Sequence, residues 1–206
     1  MLRDAVELKG YTAGHDVMAS RTFDAVWAAS RGGELPVVCD ASSCSHGLRE
    51  LRAHLPAGSR ARFDALEILD AVTYVRRAVL PALPDGRRLG TMAVHPTCST
   101  VHLDAMDDLL VVAAAAAEEV TVPADWGCCG FAGDRGMLHP ELTAAATAPE
   151  AAGLAGRTFD AYTSVNRTCE MGMSRATGHA YRHVLELLEE TTRPPSGPSG
   201  APAVRR

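Results

Sequence analysis

Three short apolar segments rich in β-branched residues constrain the fold most. They are LPVVCDA at 35–41, RLGTMAVH at 88–95 and EVTVP at 119–123. Each has the length of a strand, and the stretches between them have helical spacing or composition. A fourth strand is expected at 160–165. The first predicted helix covers 14–30, with Val17, Met18, Phe23, Val26 and Trp27 as its apolar residues. Further helices are expected at 45–54 and at 61–80, the latter ended by Pro81 and Pro84. An alanine-rich helix is expected at 102–119, one at 139–154 with a break at Pro149, and a last one at 178–191. That last helix would carry Tyr181, Val184, Leu185 and Leu188. Strands alternating with helices predict an α/β fold on a parallel sheet. With 206 residues, 47% of them hydrophobic, the chain can bury a sizeable core.

Internal similarity divides the chain. RTFDA occurs at 21–25 and again at 157–161. DASSCSHGL at 40–48 aligns with VNRTCEMGM at 165–173, matching Cys44 with Cys169 and Gly47 with Gly172. Two matches in the same order predict a duplicated unit. Residues 1–87 would hold a truncated first copy with a connecting helix, and 88–192 a complete second copy. Residues 193–206, TTRPPSGPSGAPAVRR from 191 onward, have a linker's composition and are expected to be disordered. In the truncated copy the apolar strand at 35–41 would expose an edge, and exposed edges invite association. The 88–192 half is therefore expected to be the more stable one, and the isolated chain to aggregate or to need a partner.

The net charge of −5 and the lack of a basic stripe argue against nucleic acid as a partner. The longest apolar run, Leu109 to Ala117, is too short for a transmembrane segment. MLRDAVELKG lacks the apolar core of a signal peptide, so a cytoplasmic location is expected. Thiols there are mostly reduced, and six cysteines then point to metal or redox chemistry rather than to structural disulfides.

The chemistry concentrates at 126–136, WGCCGFAGDRG, where two cysteines are adjacent and glycine recurs at every third position. Cys98 follows one predicted strand, Cys128 and Cys129 a second, and Cys169 a third. Loops at the carboxyl ends of parallel strands meet in one crevice, so these four thiols are expected to converge. Four thiolates suit an iron–sulfur cluster or zinc. Adjacent cysteines diverge, which fits two irons of one cluster better than a single tetrahedral ion. The glycines allow backbone N–H groups to approach the sulfurs. Cys39 reads as a small buried hydrophobe. Cys44 is a further candidate ligand whose partners are missing. His95 and His102 flank Cys98 and stay open between donors beside the site and solvated residues. Asp134 and Arg135 stay open between a loop-fixing pair and a partner contact. A vicinal disulfide switch at Cys128–Cys129 is the other chemical reading of the pair.

GCCG followed by FAGDRG, with HPTC at 95–98 upstream and NRTCE at 166–170 downstream, resembles the cysteine-rich CCG domain. That module occurs in the cysteine-rich subunit of heterodisulfide reductase, in the iron–sulfur subunit of glycolate oxidase and, with the most similar wording, in the C-terminal part of FAD-linked D-lactate dehydrogenases. The resemblance extends to about residue 192, with LPVVCDASSC similar to the end of a first CCG unit. It implies a duplicated CCG unit of parallel α/β topology with its first copy truncated. It also implies an iron–sulfur ligand set of Cys98, Cys128, Cys129 and Cys169. Gly172 in CEMG and Ala41 in ASSC stand where the family closes a CxxC. These departures argue against a five-cysteine noncubane cluster and leave a four-cysteine 4Fe–4S cluster.

The function implied is electron transfer for a flavin-dependent D-lactate or 2-hydroxyacid dehydrogenase, from FAD towards a quinone or cytochrome. FAD would sit in a missing domain or a partner protein, no residue of this chain would be catalytic, and the chain alone would not turn over lactate. The location would be cytoplasmic or peripheral on the inner face of the membrane. The alternative is a cluster-free docking module of such a complex.

Overall fold

The structure is a computed structural model that describes residues 10–84 and 86–194. The expected disordered tail lies outside these residues, apart from its first two. Helix α1 spans Thr12–Ala29. Its buried stripe runs through His15, Ala19 and Phe23, one residue per turn, and Val17 is exposed. Strand β1, Val37–Cys39, is followed by α2, Ser42–Glu50, a 3₁₀ turn at Leu51–His54, and α3, Ala57–Phe63. Strand β2, Ile68–Asp70, leads directly into α4, Ala71–Tyr74, which widens into a π turn at Val75–Val79.

The continuous helix expected at 61–80 is therefore wrong, because a buried strand interrupts it. Asp70 accounts for the restart: its Oδ1 accepts the backbone N–H of Val72 at 3.0 Å, capping α4.

The second half carries β3, Leu89–Val94; α5, Cys98–His102; α6, Met106–Ala116; and β4, Ala117–Thr121. A long loop precedes the single turn α7, Arg135–Leu138, and then α8, Pro140–Leu154. After these come β5, Ala161–Ser164; α9, Arg167–Thr177; β6, Tyr181–His183; and α10, Val184–Thr192. The helix α8 passes through Pro149 without the expected break. Tyr181 lies on a strand, so the helix expected from 178 begins only at Val184.

All strand pairs are parallel. One sheet has two strands, β1 next to β2; the other has four in the order β4-β3-β5-β6. Alternation along β3 sends Met92 and Val94 to one face and Ala93 to the other. The first face packs on Leu109, Val112 and Ala116 of α6 and on Val184, Leu187 and Leu188 of α10. The second packs on Leu154 of α8, Met173 of α9 and the rings of Tyr162 and Tyr181. Helices thus cover both faces of the larger sheet, as its parallel strands require. This is the expected α/β class.

The smaller sheet has a separate core of Phe23, Leu51, Leu55, Phe63 and Ile68. Among the described residues β1 pairs on one edge only, and its central Val38 is 42% exposed. The RTFDA repeat has no common structure: the first copy is inside α1, the second in the turn entering β5. No helix among the described residues is long and apolar enough to cross a membrane.

Candidate metal centre

The four cysteines expected to converge come from three neighbouring strands. Cys98 opens α5, just beyond β3, where the hydroxyl of Thr97 caps the turn by accepting the N–H of Thr100 at 3.1 Å. Cys128 and Cys129 lie in the loop after β4, and Cys169 is the third residue of α9, after β5. The order β4-β3-β5 places all three loops at one carboxyl edge. The chain leaves β3 towards β4 and leaves β5 towards β6, so a crevice opens between β3 and β5, the switch point of the sheet.

The sulfurs of Cys129 and Cys169 are buried and 2.9 Å apart, and both thiols are free. Cys98 and Cys128 are the exposed pair, hydrogen-bonded to each other, and Cys128 is in turn bonded to Cys129. The four sulfurs therefore form one chain from surface to interior. Two glycines pack closely around this chain, Gly130 in the loop and Gly172 within α9. Gly130 has φ +69°, and a Cβ there would stand 2.9 Å from the Cβ of Ala146. Its N–H points at the Cys128 sulfur at 3.5 Å. At Gly172 a Cβ would meet Thr143 at 3.1 Å and the Cβ of Cys129 at 3.6 Å, so that position faces the centre yet is nearly filled.

His95 completes the group. It is 1% exposed, and one of its ring nitrogens lies with the sulfurs of Cys129 and Cys169 inside a 4.8 Å span. Its Nδ1 is 2.7 Å from Oε2 of Glu150, itself 2% exposed, while Nε2 is buried without a hydrogen-bond partner among the described residues. An orphaned imidazole nitrogen beside two sulfurs, with its other nitrogen fixed by a carboxylate, is the arrangement in which metal-binding histidines are held.

Electrostatics divide the sulfurs into donors and acceptors. Hydrogen bonding to Cys128, reinforced by burial, pushes the Cys98 thiol up; bonding to Cys128 and Cys169 does the same for Cys129. Hydrogen bonds from Cys129 and Cys98 hold Cys128 well below an ordinary thiol. Cys169 is lowered to about 6 by the bond from Cys129, against burial, with His95 helping. Burial alone would depress His95, but the neighbouring Cys169 sulfur and the Glu150 carboxylate win and raise it to about 9. Two thiolates beside an imidazolium form a cation-attracting centre, since thiolates are the metal-binding form of cysteine.

Cys44 does not join the four; its electrostatic neighbour is Cys39, which is half-buried at the end of β1. His102 is exposed and stacks on His46 at 5.0 Å. Sequence reasoning misses Glu150. The spacing of Thr143, Thr147, Glu150 and Leu154, the buried stripe of α8, is the signal that could have found it. A large cleft lies elsewhere, at the amino edge of the sheet beside Arg88, Asp160, Arg182 and Glu190. No family model and no curated protein matches the chain.

Proposed function

We propose that the chain is an iron–sulfur electron-transfer module of a flavin-dependent D-lactate or 2-hydroxyacid dehydrogenase, a C-terminal piece or subunit that relays electrons from FAD towards a quinone or cytochrome. The observation that carries this reading is the convergence of Cys98, Cys128, Cys129 and Cys169 on one edge of the sheet, in the order that the resemblance to CCG domains implies. The donor set fits a cluster: four sulfurs linked pairwise from Cys98 through Cys128 and Cys129 to Cys169, one backbone N–H aimed at a sulfur, and a buried imidazole with an unused nitrogen. Cys98, Cys128, Cys129 and Cys169 would hold it, and when bound it would supply one-electron transfer. The exposed Cys98 and Cys128 mark the side from which a redox partner would approach, while Cys129, Cys169, His95 and Glu150 exclude water on the other. Glu150 fixes the His95 ring, and the Gly130 N–H and the imidazole offset thiolate charge. No side chain here is assigned to hydroxyacid chemistry, which is left to the flavin-bearing partner.

Anaerobic purification followed by iron and sulfide assays tests the proposal. Iron and acid-labile sulfide in equal amounts, with the charge-transfer absorbance of a cluster, are expected. A protein that stays free of iron after anaerobic reconstitution overturns it.

One observation favours a second reading. His95, Cys129 and Cys169 lie within reach of a single ion, and β1 has an uncovered edge among the described residues. A cluster-free docking module holding one zinc ion through these residues would use both features. Zinc without sulfide in the purified protein, together with strand-mediated association, would favour it over the first.

A further inference from the structure

The smaller half holds a cluster of ligating side chains that the cysteine centre does not use. His15 and Asp16 are adjacent in the first turns of α1, and His54 ends the 3₁₀ turn after α2. One donor atom from each lies within 4.8 Å of the others. The two imidazoles meet edge to face with centroids 4.1 Å apart. Nδ1 of His54 is 3.1 Å from Oδ1 of Asp16.

The independent pointer to a ligand is His15. Its side chain is 3% exposed, and neither ring nitrogen has a hydrogen-bond partner among the described residues. An imidazole has a donor and an acceptor or two donors, and burying both without partners is unfavourable unless a ligand engages them. The surroundings leave room for it. Asp16, Ser20 and His54 line an open cleft, so water could complete a coordination shell. The nearby cation, Arg60, is drawn onto main-chain carbonyls, with Nε 3.1 Å from the oxygen of Leu55.

We propose that His15, Asp16 and His54 form a second metal site, which takes a borderline divalent cation such as Zn²⁺ and fastens α1 to the 51–54 turn. Two nitrogens and one carboxylate oxygen, with a position open to water, suit such an ion. Bonds of about 2.0–2.1 Å at a tetrahedral angle set donors roughly 3.4 Å apart, and the present donors already lie within 4.8 Å of one another. The cation would replace the proton that His54 and Asp16 share and would engage the orphaned His15. The site stands or falls independently of the cysteine reading, because it shares no residue with it.

Cobalt titration of the full chain separates the two centres by ligand chemistry. Thiolate-bound Co²⁺ gives intense charge-transfer bands in the near ultraviolet; Co²⁺ on nitrogen and oxygen gives only weak visible bands. A second class of the latter kind is expected in the native chain. It should weaken about tenfold in Asp16→Asn and about a hundredfold in His54→Ala, at least what loss of an outer-shell partner costs. The thiolate bands should be unchanged in both. Asp16 is exposed, so its variant keeps the fold even if His54→Ala does not. A native chain with thiolate-bound cobalt alone, or variants that keep the second class at native affinity, overturns the proposal.

Discussion

In the smaller sheet β1 ends at Cys39, Ala41 precedes the helix, and Cys44 is the third residue of α2. In the larger sheet β5 ends at Ser164, Asn166 precedes the helix, and Cys169 is the third residue of α9. The next strands are alike as well. Asp70 ends β2 and accepts the N–H of Val72; His183 ends β6 and its Nδ1 accepts the N–H of Leu185. The two units even touch at their helix starts, where Ser42 bonds Thr97 at 2.8 Å and Asn166 accepts from the N–H of Ser43 at 3.2 Å. Yet Cys169 joins a group of sulfurs and Cys44 does not. The strand–turn–helix device only brings a cysteine to the rim. A centre forms where β3 and β4, on the same sheet, add their own loops beside it. Among the described residues β1 has one neighbour, and Cys44 belongs to no group of convergent donors.

The comparison breaks first on metal content. Cys129→Ser or Cys169→Ser should abolish metal retention, whereas Cys44→Ser should leave it at the native level. Metal analysis after anaerobic reconstitution is the measurement, and equal loss in all three would make the halves functionally equivalent.

Next in size is the loop that distinguishes the larger half. Gly130→Ala combines a left-handed backbone, costing about 1–2 kcal/mol, with overpacking against Ala146, which adds about 1–3 kcal/mol. Gly156 has φ +77° but open space around its Cα, so Gly156→Ala should cost only the backbone part. Chemical denaturation of the two variants gives the difference. Equal effects would mean that the loop relaxes and the centre is not held by packing.

Native-state hydrogen exchange sharpens the comparison of stability. Amides of β1 and β2 should exchange with an opening free energy at least about 2.5 kcal/mol below those of β3 and β5, roughly the worth of 100 Å² of apolar surface left in water. Uniform protection in a monomeric sample would remove the uncovered edge as a weakness.

The smallest effect concerns the buried pair behind the centre, in the metal-free chain. The folded state raises His95 from its ordinary 6.5 to about 9. The stability from its protonated form is complete below about 6.5 and is lost as pH rises through 9. Glu150→Gln removes part of that support, so it should destabilise by about 2 kcal/mol at pH 6 and progressively less towards pH 9.5. The imidazole signal should also titrate lower in the variant, and a pH-independent effect would reduce Glu150 to a packing residue.

The α/β class is legible because it depends on local patterns. RLGTMAVH marks β3, and a run of alanines marks α6. The strands β2 and β6 escape sequence reasoning because three residues each, ILD and YRH, carry too little periodicity to compete with the helical residues around them. The grouping of Cys98, Cys128, Cys129 and Cys169 can be anticipated because parallel strands deliver their following loops to one edge whatever the side chains.

What the sequence by itself determined is therefore the alternation of elements and the strand end from which each cysteine departs, both consequences of short-range spacing. Tertiary structure alone decided the rest. It set β3 between β4 and β5, buried His95 against Glu150 55 residues away, and left Cys44 outside the group. It also brought His15 to His54 across two elements. Strand order and helix docking follow from which apolar faces fit together over the whole chain. A charged residue in an alanine helix, or a histidine on a buried stripe, acquires its partner only when those faces close.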